Sequence, residues 1–122
     1  MSGEENLFRF EHLEVWQRAA DMAFTLGLMA DQLSARHLFR FAEQLRSAAL
    51  SISNNIAEGS GSTSNNEFRN FLNIARRSAF ECANMLIIFR RHQLVAVEEV
   101  KNHLGELNQI CRMITGLSRS LG

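Results

Sequence analysis

The sequence predicts an all-α protein, an antiparallel up-down-up-down four-helix bundle, on three observations. The 122-residue chain contains no proline, so no missing N–H or ring clash interrupts a long helix. Four segments carry apolar residues at three- and four-residue steps, the spacing that lines one face of a helix. The connections between them are short, and short connections between long helices force antiparallel neighbours. No segment alternates with the period of two that a half-buried strand requires. With 46% apolar residues, a chain of this length is expected to form one domain over 1–122, with a core that needs no disulfide or metal.

The first helix is expected over about residues 10–33, with Leu13, Trp16, Ala20, Ala23 and Met29 as its stripe. Glu11 and Glu14 suit its positive N-terminal end. A short turn at Ser34-Ala35-Arg36 leads into the second helix, over about 36–58, which Ser34 can cap. Leu38, Phe41, Leu45, Ala48, Ala49, Ile52 and Ile56 form the second stripe. Beside it sit Ser47, Ser51, Ser53, Asn54 and Asn55, small polar side chains that compete for backbone hydrogen bonds. A helix weakened in this way gains its stability from packing. Gly59 is expected to close it as a left-handed C-terminal cap. The stretch Gly59-Ser-Gly-Ser-Thr63 is the clearest break in the chain.

Ser64-Asn-Asn-Glu67 then reads as a capping box at the head of the third helix, over about 65–91. Its stripe is Phe68, Phe71, Leu72, Ala75, Ala79, Cys82, Leu86 and Phe89. After a turn at 92–96 the fourth helix, over about 97–119, carries Val97, Val100, Leu104, Leu107, Cys111, Ile114 and Leu117. Counting outward from each turn sorts these residues into layers. Small alanines on three helices face Leu107 and Ile110 of the fourth, a combination that can interdigitate. The same count sets Cys111 about five residues, or ~7.5 Å of rise, from Cys82, so no disulfide is expected.

The sequence offers little for catalysis. No histidine follows a glutamate by three residues, as a di-metal carboxylate bundle requires, and no CxxC or Cys/His cluster exists. Gly59-Ser-Gly-Ser lacks the lysine of a phosphate-cradling loop, and no glycine-rich elbow presents a nucleophile. No catalytic residue, metal or cofactor is expected, and the chain does not read as an enzyme. Apolar runs such as Met85–Phe89 fall far short of the ~18 residues that a membrane span requires. The polar, acidic start Met1-Ser-Gly-Glu-Glu5 is unlike a secretory signal, so a cytoplasmic location is expected.

Net charge is zero, yet its distribution is uneven. Residues 1–35 hold six carboxylates against two arginines, and residues 36–91 hold eight arginines against four glutamates. Twelve of the thirteen basic residues are arginine, the side chain suited to bidentate contact with phosphate or carboxylate. Salt bridges across the bundle are one use for them, and a phosphate-binding face is another. Arg36 and Arg40 on the second helix, with Arg69, Arg76 and Arg77 on the third, are the candidate contacts for weak, salt-sensitive nucleic-acid binding. Asn55 is placed at the core margin, where a buried amide fixes register or oligomer state. Glu81 needs a partner if buried, and Arg46 lies level with it. Phe8, Phe10, Phe24, Phe39, Phe80, Ile87 and Ile88 fall outside the stripes, a surplus that points to a homo-oligomer.

Several of these residues also carry a resemblance. Phe10-x-x-Leu13-x-Val15-Trp16-Gln17, Gln44-Leu45-Arg46-x-Ala48, Asn55-Ile56-Ala57-Glu58-Gly59 and Phe71-Leu72-x-Ile74-Ala75-x-x-Ser78-x-x-Glu81 resemble the signature of the 23S rRNA intervening-sequence (S23) four-helix bundle proteins. The likeness covers roughly residues 8–118. Trp16, Arg46, Asn55, Glu58, Gly59, Ser78 and Glu81 are the positions that carry it. It implies a bacterial antiparallel bundle assembling as a homopentamer and acting as an accessory or interaction module associated with nucleic acid. An oligomeric scaffold that binds only protein partners is the alternative. The chain departs from the pattern in its turn Ser34-Ala35-Arg36, in Arg77, and in its zero net charge where nucleic-acid-binding relatives are basic.

Overall fold

The computed structural model describes residues 7–122; Met1–Asn6, which include the acidic start, lie outside the described residues. A short 3-10 turn, Arg9–His12, precedes four helices: α1 Glu14–Ala35, α2 Phe39–Ser60, α3 Asn65–Arg91 and α4 Val97–Ser120. They form the expected antiparallel four-helix bundle. Each helix packs mainly on its sequence neighbours, and α1 meets α4 more sparingly.

Of the expected α1 stripe, only Met29 is fully buried in the core. Val15, Ala19, Met22, Leu26, Met29 and Leu33 point into the core, whereas Leu13, Trp16 and Ala23 are only partly buried against it. The two stripes are offset by one residue, ~100° around the helix. Helix α1 is apolar on most of its circumference, so spacing alone selects neither. The stripe that folds inward buries two leucines completely, Leu26 and Leu33. On α2, Leu45, Ile52 and Ile56 are buried as expected, but Ala42 takes the place of Phe41, which is 41% exposed and leans on Phe89 at 5.5 Å between ring centroids. On α4, Ile110 joins Val100, Leu107 and Ile114 in the core, while Val97 is exposed.

Gly59 does not cap α2. It lies within the helix, is buried, and no glycine in the described residues has a positive φ. Its role is close approach: a Cβ there would stand 2.6 Å from Phe71 Cβ and 2.9 Å from Phe68 Cδ1. The left-handed positions are instead His37 (φ 65°) and Gln93 (φ 59°), at the α1–α2 and α3–α4 turns. Both turns have the same construction. His37 N–H donates to Ser34 O and Leu38 N–H to Leu33 O; Gln93 N–H donates to Arg90 O and Leu94 N–H to Phe89 O. These paired bonds are the Schellman closure, in which an apolar residue just past the helix belongs near an apolar one inside it. Ser34 therefore serves α1 through its carbonyl and does not cap α2, which starts at Phe39 with no side-chain cap. At the head of α3, Ser64 Oγ accepts from Glu67 N–H at 3.1 Å, one half of the expected box.

The seam between α2 and α3 is polar where the sequence clusters its serines. Ser51 Oγ and Ser78 Oγ share a hydrogen bond of 2.8 Å, and Asn55 Nδ2 donates to Ser51 O at 2.7 Å and Ser51 Oγ at 3.0 Å. Ser53 and Ser60 turn back on their own helix, bonding Leu50 O and Ala57 O. Asn55 thus sits half-buried at the core margin, holding the serine that joins the two helices.

Candidate functional site

In a neutral chain, where each guanidinium goes decides what the surface can bind. The ion pairs among the described residues occupy two arginines. Arg18 on α1 grips Glu106 on α4 with Nε–Oε2 at 2.9 Å and Nη2–Oε1 at 2.6 Å, and its hydrogen bond to Glu106 raises its pKa. Arg46 bonds Asp31 at 2.6 Å and Glu43 at 3.3 Å, and is raised chiefly by Asp31. Glu81, the expected partner of Arg46, is exposed on α3, and its proximity contributes to raising the Cys82 thiol, after burial. The layer count set 46 and 81 level but left the direction around α2 open. Arg46 faces α1; α3 lies on the other side, where Ser51 faces Ser78.

Four of the other arginines converge on the α3–α4 seam. Arg69 and Arg76 are two turns apart on α3, and Arg112 and Arg119 are two turns apart on α4, ~10.5 Å of rise in each case. Because the helices are antiparallel, Arg69 falls level with Arg119 and Arg76 with Arg112, giving two arginine rungs across one groove. Asn73, Thr115 and Ser118 lie among them, and no carboxylate lines the groove. Arg69 is held in place, donating to Asn66 Oδ1 at 2.7 Å and to the carbonyl oxygens of Leu121 and Gly122. Arg76 lies over the Phe80 ring, its guanidinium carbon 4.9 Å from the centroid. Burial pushes the Cys111 thiol pKa up at the groove floor, and the nearby Arg76 charge pulls it back.

The five arginines singled out from the sequence do not form one patch. Arg69 and Arg76 line the groove. Arg77, next in the chain and ~100° further around α3, is exposed outside it. Arg36 and Arg40 are at the opposite end of the bundle, with Arg36 Nη1 donating to Leu94 O at 2.9 Å and so tying the two turns together. Arg112 and Arg119 are the pair that sequence reasoning missed, because the charge of α4 balances when summed. Their seven-residue spacing, mirroring that of Arg69 and Arg76, was the available signal.

The signature residues are mostly structural in placement. Trp16 is half-buried against Phe10, 4.9 Å between centroids. Glu58 is exposed, and its carbonyl accepts the N–H of Gly61 at the end of α2. Gly59, Asn55 and Ser78 belong to the α2–α3 seam, and Arg46 joins α2 to α1. A second groove lies between α1 and α2, where Phe24 (71% exposed), Leu28 and Leu50 surround Ala20, Ala23 and Gly27.

Among the described residues no three histidine, cysteine or acidic side chains stand close enough to hold a metal ion, and no helix is long and apolar enough to cross a membrane. Fold and grooves define an all-α bundle protein whose main concavities are open seams between helices. A family model described as 23S rRNA-intervening sequence protein matches residues 11–116. The chain belongs to that family. A crystal structure of a protein with unknown function from the S23 ribosomal protein family of Bacteroides thetaiotaomicron VPI-5482 superposes with a TM-score of 0.82 at 21% identity, covering 87% of this chain and 99% of that one. Nothing among curated proteins matches the chain.

Proposed function

We propose that this protein is a non-enzymatic, homo-oligomeric accessory module of the cytoplasm that binds nucleic-acid phosphates in the α3–α4 groove. One observation carries the reading: a chain of zero net charge gathers Arg69, Arg76, Arg112 and Arg119 on one seam and keeps carboxylates off its lining. Guanidinium forks match phosphate oxygens, and their contacts release counterions from the nucleic acid. Neutrality removes long-range steering, so the affinity of one groove is weak and falls steeply with salt. The family description refers to an rRNA insert, which is consistent with such a partner.

Assembly would compensate for that weakness. The exposed Phe24, Leu28 and Leu50 offer an apolar contact for a second copy, and the resemblance implies five copies in a ring. Repeating the groove around a ring multiplies contacts that are individually feeble. The same apolar groove favours the second reading, a scaffold that meets only protein partners. The deciding experiment is a salt titration of binding to single- and double-stranded RNA and DNA, comparing the wild type with Arg76/Arg112/Arg119→Glu. Wild-type binding at ~50 mM salt, with a salt slope reduced by ~0.7–0.9 per lost contact in the variant, supports the groove. No wild-type binding at that salt overturns it in favour of the protein-only scaffold.

A further inference from the structure

The arginine rungs end at an aromatic wall. Phe80 is one turn beyond Arg76 on α3 and is 57% exposed. It belongs both to the lining of the basic groove and to that of a small apolar notch of about 110 Å³, which continues the seam toward Ala83 and Leu104. Ala83, Leu104 and Leu107 line that notch, with Asn108 at the level of Phe80 across the seam. The Arg76 guanidinium covers part of the ring from the groove side. A phosphate site alone gives no reason for an exposed ring between charge and an apolar recess, and a nucleotide needs both.

Resting on the phosphate-binding reading above, we infer that the groove takes a single strand, with one unpaired base seated in the notch and stacked on Phe80. The arginine rungs hold the backbone leading to it. Their separation of ~10.5 Å corresponds to roughly three nucleotides of stacked strand. The amide of Asn108 is placed to hydrogen-bond a base edge. A duplex cannot use this site, because its bases are already covered on both faces by their neighbours. Stacking on an aromatic face is tolerant of sequence, so the preference is for strandedness over base identity. RNA and DNA strands share this chemistry, and the test separates them.

The test is fluorescence anisotropy at fixed low salt with labelled oligonucleotides of one sequence: single-stranded RNA, single-stranded DNA, their duplexes, and an abasic strand. The protein is the wild type, Phe80→Leu, Phe80→Trp and Arg112/Arg119→Gln. The side chain is exposed, so the Phe80 variants should fold, and circular dichroism checks this. Single strands should bind more tightly than duplexes and than the abasic strand. Phe80→Leu should lose roughly tenfold or more in single-strand affinity, with duplex affinity and salt slope unchanged, and Phe80→Trp should retain it. Arg112/Arg119→Gln should weaken every ligand and flatten the slope. Equal binding of single strand, duplex and abasic strand, unmoved by Phe80→Leu, overturns the stacked base while leaving the phosphate groove standing. Absence of binding to any oligonucleotide overturns both.

Discussion

Replacing Gly59 by alanine separates two effects that usually run together. In the interior of an exposed helix the change stabilises by ~1 kcal/mol, because alanine loses less backbone entropy. At Gly59 the added Cβ would stand 2.6 Å from Phe71 Cβ, about 1 Å inside the ~3.5 Å at which carbon atoms rest. The obstacle is an atom fixed to the α3 backbone, not the end of a flexible side chain, so a rotamer change cannot relieve it. Helices α2 and α3 must part, straining the Ser51–Ser78 bond of 2.8 Å further along the seam. Overpacking of this kind costs ~1–3 kcal/mol, so the net expectation is a loss of about 1 kcal/mol, or roughly 4 °C in melting temperature. Gly105→Ala on α4, where nothing lies within 4 Å of the new methyl, should gain up to ~1 kcal/mol. Urea melts of wild type and both variants, at one protein concentration, measure the contrast. If Gly59→Ala melts as high as Gly105→Ala, the close approach of α2 and α3 is not what Gly59 provides.

Other expectations follow from particular contacts. Gln93→Gly should raise stability by ~0.5–1 kcal/mol in the same urea assay, since φ 59° is left-handed and glycine adopts it without strain. A double-mutant cycle on Ser51→Ala and Ser78→Ala should return a coupling of ~0.5–1.5 kcal/mol, and Asn55→Leu should alter assembly by light scattering more than helix content by circular dichroism. Burial chiefly, with Glu81 nearby, pushes the Cys82 thiol up to about 12 from 9.0. Above pH 9 the unfolded thiol therefore loses its proton while the folded one keeps it, and stability should fall with rising pH by as much as ~1.4 kcal/mol per unit until about 12. Cys82→Ala should remove that portion of the slope, and an unchanged slope would refute the assignment. Phe24→Glu should break the proposed homo-oligomer in light scattering; a wild type that is monomeric refutes that proposal, and an assembly intact in the variant puts its interface elsewhere.

The fold was legible because apolar spacing, chain breaks and the absence of proline all agree at the level of whole helices. What the sequence left open was rotation about each helix axis. On α1, Leu13/Trp16/Ala20/Ala23 and Val15/Ala19/Met22/Leu26 satisfy the same spacing, and only packing against α2 and α4 selects the second. The same missing rotation assigned Glu81 to Arg46 and grouped Arg77 with Arg69 and Arg76. Gly59 was misread for another reason: a glycine near a helix end usually caps it, and only the position of Phe71 on a different helix reveals the tighter constraint. Half of the candidate site was visible in the Arg69/Arg76 spacing. The other half, Arg112 and Arg119, required knowing which helix lies beside α3.

The two matching turns bear on how the molecule assembles itself. Each closes its helix pair with bonds that span at most five residues, and Arg36 to Leu94 O then fastens one turn to the other. Contacts so close in sequence form early and quickly, because little loop entropy is lost in making them. The α1–α2 and α3–α4 hairpins can therefore find their own register separately. The α2–α3 pair, joined by residues 61–64, is no less local, so by the same entropy argument the pairing expected last is that of α1 with α4, the sparse seam that Arg18 and Glu106 clasp.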